Sequence, residues 1–96
     1  MKMKNILYLD SANDKIIIRI GQYQYISSND RADNMLVEIE KLLRRANMTL
    51  CDLTAIKVNP GPGKSYTGLR VGVAIANALG WALKTPKNFR LVMPKY

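Results

Sequence analysis

The chain has 96 residues, 15 Lys and Arg against 7 Asp and Glu for a net charge of +8, 48% hydrophobic residues, one Cys and no His. That length holds one domain with one core, and a chain this size hides only about two thirds of its unfolded surface, so apolar surface left over after folding implies a partner. Without His and with a single Cys there is no basis for a histidine metal centre, a cysteine zinc cluster or an internal disulfide; no apolar stretch of signal-peptide length precedes Asp10, so a reducing cytoplasmic setting is expected.

Ile6 to Asp10 is almost continuously apolar, which predicts a central strand covered on both faces. After the turn formers Ser11 to Asp14, Lys15 to Ile20 alternates. Ile16, Ile18 and Ile20 lie on one face and Ile17 and Arg19 on the other, a second strand. Gly21 and Gln22 break the pattern before a third strand around Tyr23 and Tyr25. Ser28, Asn29, Asp30 and Asp33 offer N-caps for a helix from Ala32 to Ala46, whose apolar positions Met35, Leu36, Ile39, Leu42, Leu43 and Ala46 keep helical spacing, with Asn47 as the stop.

A fourth strand is expected over Ala55 to Asn59, followed by the breaker Pro60-Gly61-Pro62-Gly63. A second helix runs from Thr67 to Leu83 ahead of Pro86, and Phe89 to Met93 reads as a last strand. The fold class is therefore α/β: a single lobe with a mixed five-stranded sheet, ordered strand, strand, strand, helix, strand, helix, strand, its crossovers laying the helices on the sheet.

Gly63-Lys64-Ser65 between a strand and a helix has the ending of a phosphate loop, but Val58 stands where the motif needs its first Gly, and Pro60 and Pro62 supply no N–H. A stiff connector is the better reading. The second helix is apolar nearly all round, with Arg70 and Asn77 its clearly polar interior positions, and Gly68, Gly72, Ala76 and Gly80 recur every four residues. Glycines inside a helix cost about 1 kcal/mol each, so the stripe implies close packing, either on the chain's own sheet or on a partner. Charge is lopsided: residues 53 to 96 hold seven cations and no acid, which suits nucleic acid, an anionic ligand, an acidic partner or simply a solvated basic face. Lys57, Lys64, Arg70, Lys84, Lys87, Arg90 and Lys95 form no compact run.

Gly61-Pro62-Gly63-Lys64-Ser65-Tyr66-Thr67-Gly68-Leu69-Arg70-Val71-Gly72 resembles the signature G-P-G-S-[FY]-T-G-[LI]-R-[IV]-G of the TsaB family, also called YeaZ. Ile6 to Ser11 is similar to that family's first strand ending in Asp-Thr-Ser, and Leu50-Cys51-Asp52-Leu53-Thr54-Ala55-Ile56 to its Leu-Ser-Asp-Leu-Asp-Ala-Ile. The resemblance covers nearly the whole chain and implies the N-terminal lobe of an actin-like, ribonuclease-H-like fold, with the family's second lobe absent. It departs from the pattern in the extra Lys64 and in Asp10-Ser11-Ala12 for Asp-Thr-Ser.

What the resemblance implies is a non-catalytic module without cofactor or metal, which docks through its two helices on a TsaD-type enzyme that places threonylcarbamoyl on adenosine in tRNA. The expected contacts are Met35, Glu38 and Leu42 on the first helix and Ser65, Thr67, Leu69, Arg70, Gly72, Val73 and Ala76 on or before the second. Asp10 and Ser11 are a vestigial phosphate-loop position, tRNA is reached only through the complex, and the chain alone forms a homodimer through the same helices, weakened by Gly72→Glu. The alternatives are an incomplete actin-like nucleotide-binding enzyme and a small basic nucleic-acid-binding domain.

Overall fold

A computed structural model describes residues 5–28, 34–83, 92, 93 and 95. Three strands come first: β1 (Ile6–Asp10), β2 (Lys15–Ile20) and β3 (Tyr23–Ser28). Gly21 turns β2 into β3 at φ 57°, a left-handed angle that glycine adopts without a Cβ penalty. The helix α1 (Met35–Arg45) follows, then a 3-10 turn over Leu50–Asp52, β4 (Ala55–Val58) and the long helix α2 (Tyr66–Leu83).

The sheet order is β3-β2-β1-β4, with β1/β2 and β2/β3 antiparallel and β1/β4 parallel. The mixed sheet is as expected from the element order, and four strands are found among the described residues. The expected fifth, Phe89 to Met93, lies mostly outside them, and Val92 and Met93 are not in a strand.

Both helices cover one face of the sheet. Leu7 and Leu9 of β1 and Ile16, Ile18 and Ile20 of β2 are enclosed there with Met35, Ile39, Leu42 and Leu43 of α1 and Ala76 of α2. The alternation expected of β2 is found. The two-sided burial expected of β1 is not: Ile6, Tyr8 and Asp10 remain partly exposed on the opposite face, because among the described residues both helices lie on the other side.

α1 has Asn34 in the N-cap position with no side-chain cap bond, and the expected start at Ala32 lies outside the described residues. Ser28 belongs to β3 instead of capping the helix; Asn29, Asp30 and Asp33 lie outside the described residues. Its end is as read. Asn47 takes φ 58°, Met48 N–H donates to the Leu43 carbonyl at 2.8 Å and Asn47 N–H to that of Arg44 at 3.1 Å, the paired bonds that close a helix through a left-handed residue.

Candidate functional site

The connector between β4 and α2 uses up its own polar groups. Asn59 Oδ1 accepts from Gly61 N–H at 3.0 Å, Asn13 Oδ1 from Lys64 N–H at 3.2 Å, and the Ala12 carbonyl from Ser65 N–H at 2.8 Å. With Pro60 and Pro62 lacking an N–H, little of this backbone is left to hold a phosphate. Ser65 caps α2, its Oγ accepting from Gly68 N–H at 3.1 Å. Gly61 sits at φ 90° against the Lys95 carbonyl and Leu69, where any Cβ would collide, so this glycine is required by the loop itself.

Asp10 and Ser11 have diverged in role. The Ser11 hydroxyl is 1% exposed and donates to the Gly68 carbonyl at 2.6 Å, tying the end of β1 to the first turn of α2. Asp10 is half-buried: Oδ1 accepts from Ala12 N–H at 3.2 Å and Oδ2 from the Tyr8 hydroxyl at 3.4 Å. It lines an open cleft of about 320 Å³ with Asn13, Asp14, Lys15, Ile17 and Lys64. The inserted Lys64 thus faces this cleft and not α2's core side. Burial, the Asp10 charge and the hydrogen bond to Asp10 together raise the Tyr8 hydroxyl above the ordinary tyrosine range, against an opposing pull from Arg19.

The small-residue stripe of α2 turns inward. Gly68, Gly72, Ala76 and Gly80 are all buried, and a Cβ at position 72 would collide with the Ser11 hydroxyl and touch Met35 Cε at 4.0 Å. At Gly72 the stripe lets α2 lie close on the end of β1 and on Met35 of α1. Among the expected contact residues, Met35, Leu42, Leu69, Gly72, Val73 and Ala76 are therefore enclosed by the chain itself and offer nothing to a partner in this structure. Gly72→Glu would disrupt folding, so it cannot report on association. Of the remaining four, Thr67 and Arg70 are exposed, Glu38 and Ser65 half-buried, and Glu38 is paired with Lys41 at 3.4 Å.

Part of the apolar surface left over lies elsewhere on the same helices and in the 3-10 turn. Leu36 and Val37 on α1 are 55% and 51% exposed, and Leu50 is 36% exposed. Leu36 and Leu50 border a groove of about 200 Å³ between the helices, floored by Ile39, Leu43 and Leu79 and rimmed by Glu40. A separate shallow site on α2 is lined by Thr67, Arg70, Val71 and Ala74. The groove is legible in the sequence only in part: Leu36, Ile39 and Leu43 have helical spacing, while Leu50 in the 3-10 turn gives no periodic signal.

Comparison with known proteins gives a consistent picture. The family model described as "TsaD: tRNA N6-adenosine threonylcarbamoyltransferase" matches residues 23–88. A tRNA threonylcarbamoyladenosine biosynthesis protein TsaB from Buchnera aphidicola (Schizaphis graminum) is 32% identical over 87 residues, 84% of this chain and 41% of that protein. A tRNA N6-adenosine threonylcarbamoyltransferase from Bifidobacterium longum is 44% identical over 66 residues, 69% of this chain and 19% of that one. The solved structure of YeaZ from Pseudomonas aeruginosa superposes with a TM-score of 0.80 at 24% identity, over 88% of this chain and 42% of that one, a likeness of fold. The chain thus spans about two fifths of the length of the TsaB relative.

Proposed function

The chain belongs to the family described as TsaD: tRNA N6-adenosine threonylcarbamoyltransferase and is TsaB/YeaZ-like, and from that premise we propose that it is a non-catalytic binding module that docks on a TsaD-type enzyme and supports threonylcarbamoyladenosine modification of tRNA. The observation that carries this reading is the open apolar groove between α1 and α2, bordered by exposed Leu36 and Leu50, with Val37 also exposed on α1. A lobe of this size leaves such surface where another protein covers it. The docking residues are then Leu36, Val37 and Leu50, with Glu38, Thr67 and Arg70 as polar contacts on the same two helices, a set shifted outward from the enclosed stripe.

The spent hydroxyl of Ser11 and the occupied N–H groups of the connector support a binding role over the actin-like enzyme reading. Alone, the chain pairs with a second copy through the same groove, and the partner enzyme displaces that copy. Calorimetry with a TsaD-type enzyme tests the proposal: a saturable micromolar complex is expected, and Leu36→Glu weakens it about tenfold or more by placing a charge in a desolvated pocket. Absence of a complex at tens of micromolar removes the proposal. Tight binding of ATP and magnesium by the isolated chain would instead favour the enzyme reading.

A further inference from the structure

The face of the sheet opposite the helices collects charge that is dispersed along the chain. Register places Arg19 of β2 beside Tyr8 of β1, and Tyr8 beside Lys57 of β4, so a cation flanks the tyrosine on either side in one row across three strands. Strands in a sheet are about 4.8 Å apart, which makes the row short and continuous. The Arg19 guanidinium carbon stands 5.8 Å from the Tyr8 ring centroid. Arg19 and Lys57 are exposed, and among the described residues neither pairs with a carboxylate. Lys15 adds a third exposed cation on the same face, where half-buried Asp10 and exposed Asp14 oppose it at the cleft end, and Ile17 supplies apolar floor between Lys15 and Arg19.

We propose that this open sheet face binds single-stranded nucleic acid, with Arg19 and Lys57 on the backbone phosphates and the Arg19–Tyr8 pair as a platform on which a base stacks. Flat sheet faces carrying an aromatic ring and cations read single strands in this way, because every base has a π-face and every link a charge. An acidic protein segment would satisfy the cations but has no flat ring to lay on the stacked pair, so nucleic acid uses more of what the face displays. The inference is independent of docking through the helices, which lie on the other side of the sheet, and it departs from the expectation that tRNA is met only through the complex.

Fluorescence anisotropy of the whole chain with a fluorescein-labelled 15-residue oligouridylate tests it. Saturable binding in the micromolar range at 50 mM salt is expected, with log K falling against log salt at a slope of about −2 for three phosphate contacts. Arg19→Gln/Lys57→Gln should weaken binding about tenfold and flatten the slope, whereas Lys41→Gln/Arg44→Gln, with the same charge change on α1, should cost less than about threefold. Arg19→Lys keeps the charge and loses the planar cation; a loss of about threefold at unchanged slope is expected. Tyr8→Leu should weaken binding about fivefold or more, also at unchanged slope. Circular dichroism melts establish that each variant is folded. Equal losses from the two double variants would overturn the proposal in favour of diffuse charge. Binding of a 15-residue oligoglutamate as tight as that of the RNA would assign the face to an acidic protein, and no saturable RNA binding at 100 μM, or an unchanged affinity in both Arg19→Lys and Tyr8→Leu, would remove it.

Discussion

Ile17 and Ile18 are neighbours in β2, yet Ile18 is fully enclosed under the helices while Ile17 stands half-covered opposite Asp10 and Ile26 on the open side of the sheet. The same alternation sends Leu7 and Leu9 inward and Tyr8 and Asp10 outward. One face of four strands is thus an apolar floor edged by Tyr23 and Tyr25 of β3, and the other a mixed surface of cations, a tyrosine and an acid. Composition alone does not separate them; strand periodicity does, because successive side chains point to opposite sides. The first expected outcome uses this pair directly. Ile18→Ala should cost about 2–5 kcal/mol by opening a cavity that helices on a sheet cannot fill, and Ile17→Ala about 1 kcal/mol or less, as for a partly exposed site. Urea melts of the two variants measure the gap, and equal losses would mean that the open face is covered in solution.

A second expectation concerns the tightest contact between the covered face and α2. Gly72→Ala adds a methyl against the Ser11 hydroxyl, which is already committed to the Gly68 carbonyl at 2.6 Å. Overpacking and the disturbed hydrogen bond outweigh the better helix propensity of Ala, for a net loss of about 2 kcal/mol. In a Ser11→Ala background the nearest remaining atom is the residue 11 Cβ at 3.3 Å. The further cost of Gly72→Ala should then fall below about 1 kcal/mol, so that the double-mutant cycle gives a coupling of about 1 kcal/mol or more. Additive losses would show that Gly72 is held by something other than Ser11.

These residues also mark where the sequence was readable. The alternation in Lys15 to Ile20 and the spacing of Met35, Ile39, Leu42 and Leu43 gave β2, α1 and their buried sides, because each signal is local and repeats. Two-sided burial of β1 was misread, since a run such as Ile-Leu-Tyr-Leu looks the same whether one face or both are covered. The stripe of Gly68, Gly72, Ala76 and Gly80 implies close packing and is buried, but a periodic stripe does not say which body approaches; at Gly72 it is the chain's own Ser11 and Met35. The Arg19, Tyr8 and Lys57 row was missed altogether. Its members lie far apart in sequence, and only the antiparallel β1/β2 and parallel β1/β4 registers bring them into line.

Asn77 is, with Arg70, one of the two clearly polar interior positions of a helix that is apolar nearly all round. Its side chain receives Val92 N–H at 2.7 Å on Oδ1 and donates through Nδ2 to the Val92 carbonyl at 2.8 Å, bonding to the chain as a neighbouring strand would. Val92 in turn packs against the cluster of Ala12, Leu69 and Val73. Asn77→Ala leaves both backbone groups without these partners while partly buried, for a loss of about 1–2 kcal/mol. Hydrogen exchange at the Val92 amide should rise well beyond the change at Ile18, which separates this local anchor from the sheet core. Uniform loss of protection would place Asn77 within the global folding unit.

The smallest expected effect is a titration, and it belongs to the open face. The Tyr8 hydroxyl is raised first by partial burial and then by the Asp10 charge and hydrogen bond, so the folded chain holds this proton more tightly than the unfolded chain does. An unfolded tyrosine ionises near about pH 10. The stabilisation is therefore fully present below that pH and is lost as pH climbs through the higher folded value. Tyr8→Phe keeps the ring and removes the proton. At pH 7 it should change stability by no more than about 0.5 kcal/mol, since the bond to Asp10 is long at 3.4 Å and the site partly exposed. Between pH 9 and 11 the wild-type chain should lose more in Tm than Tyr8→Phe, with lysine titration common to both chains and cancelling in the difference. Parallel curves would mean that Tyr8 feels neither Asp10 nor burial, and that the ring stands free of the surface on which Arg19 holds it.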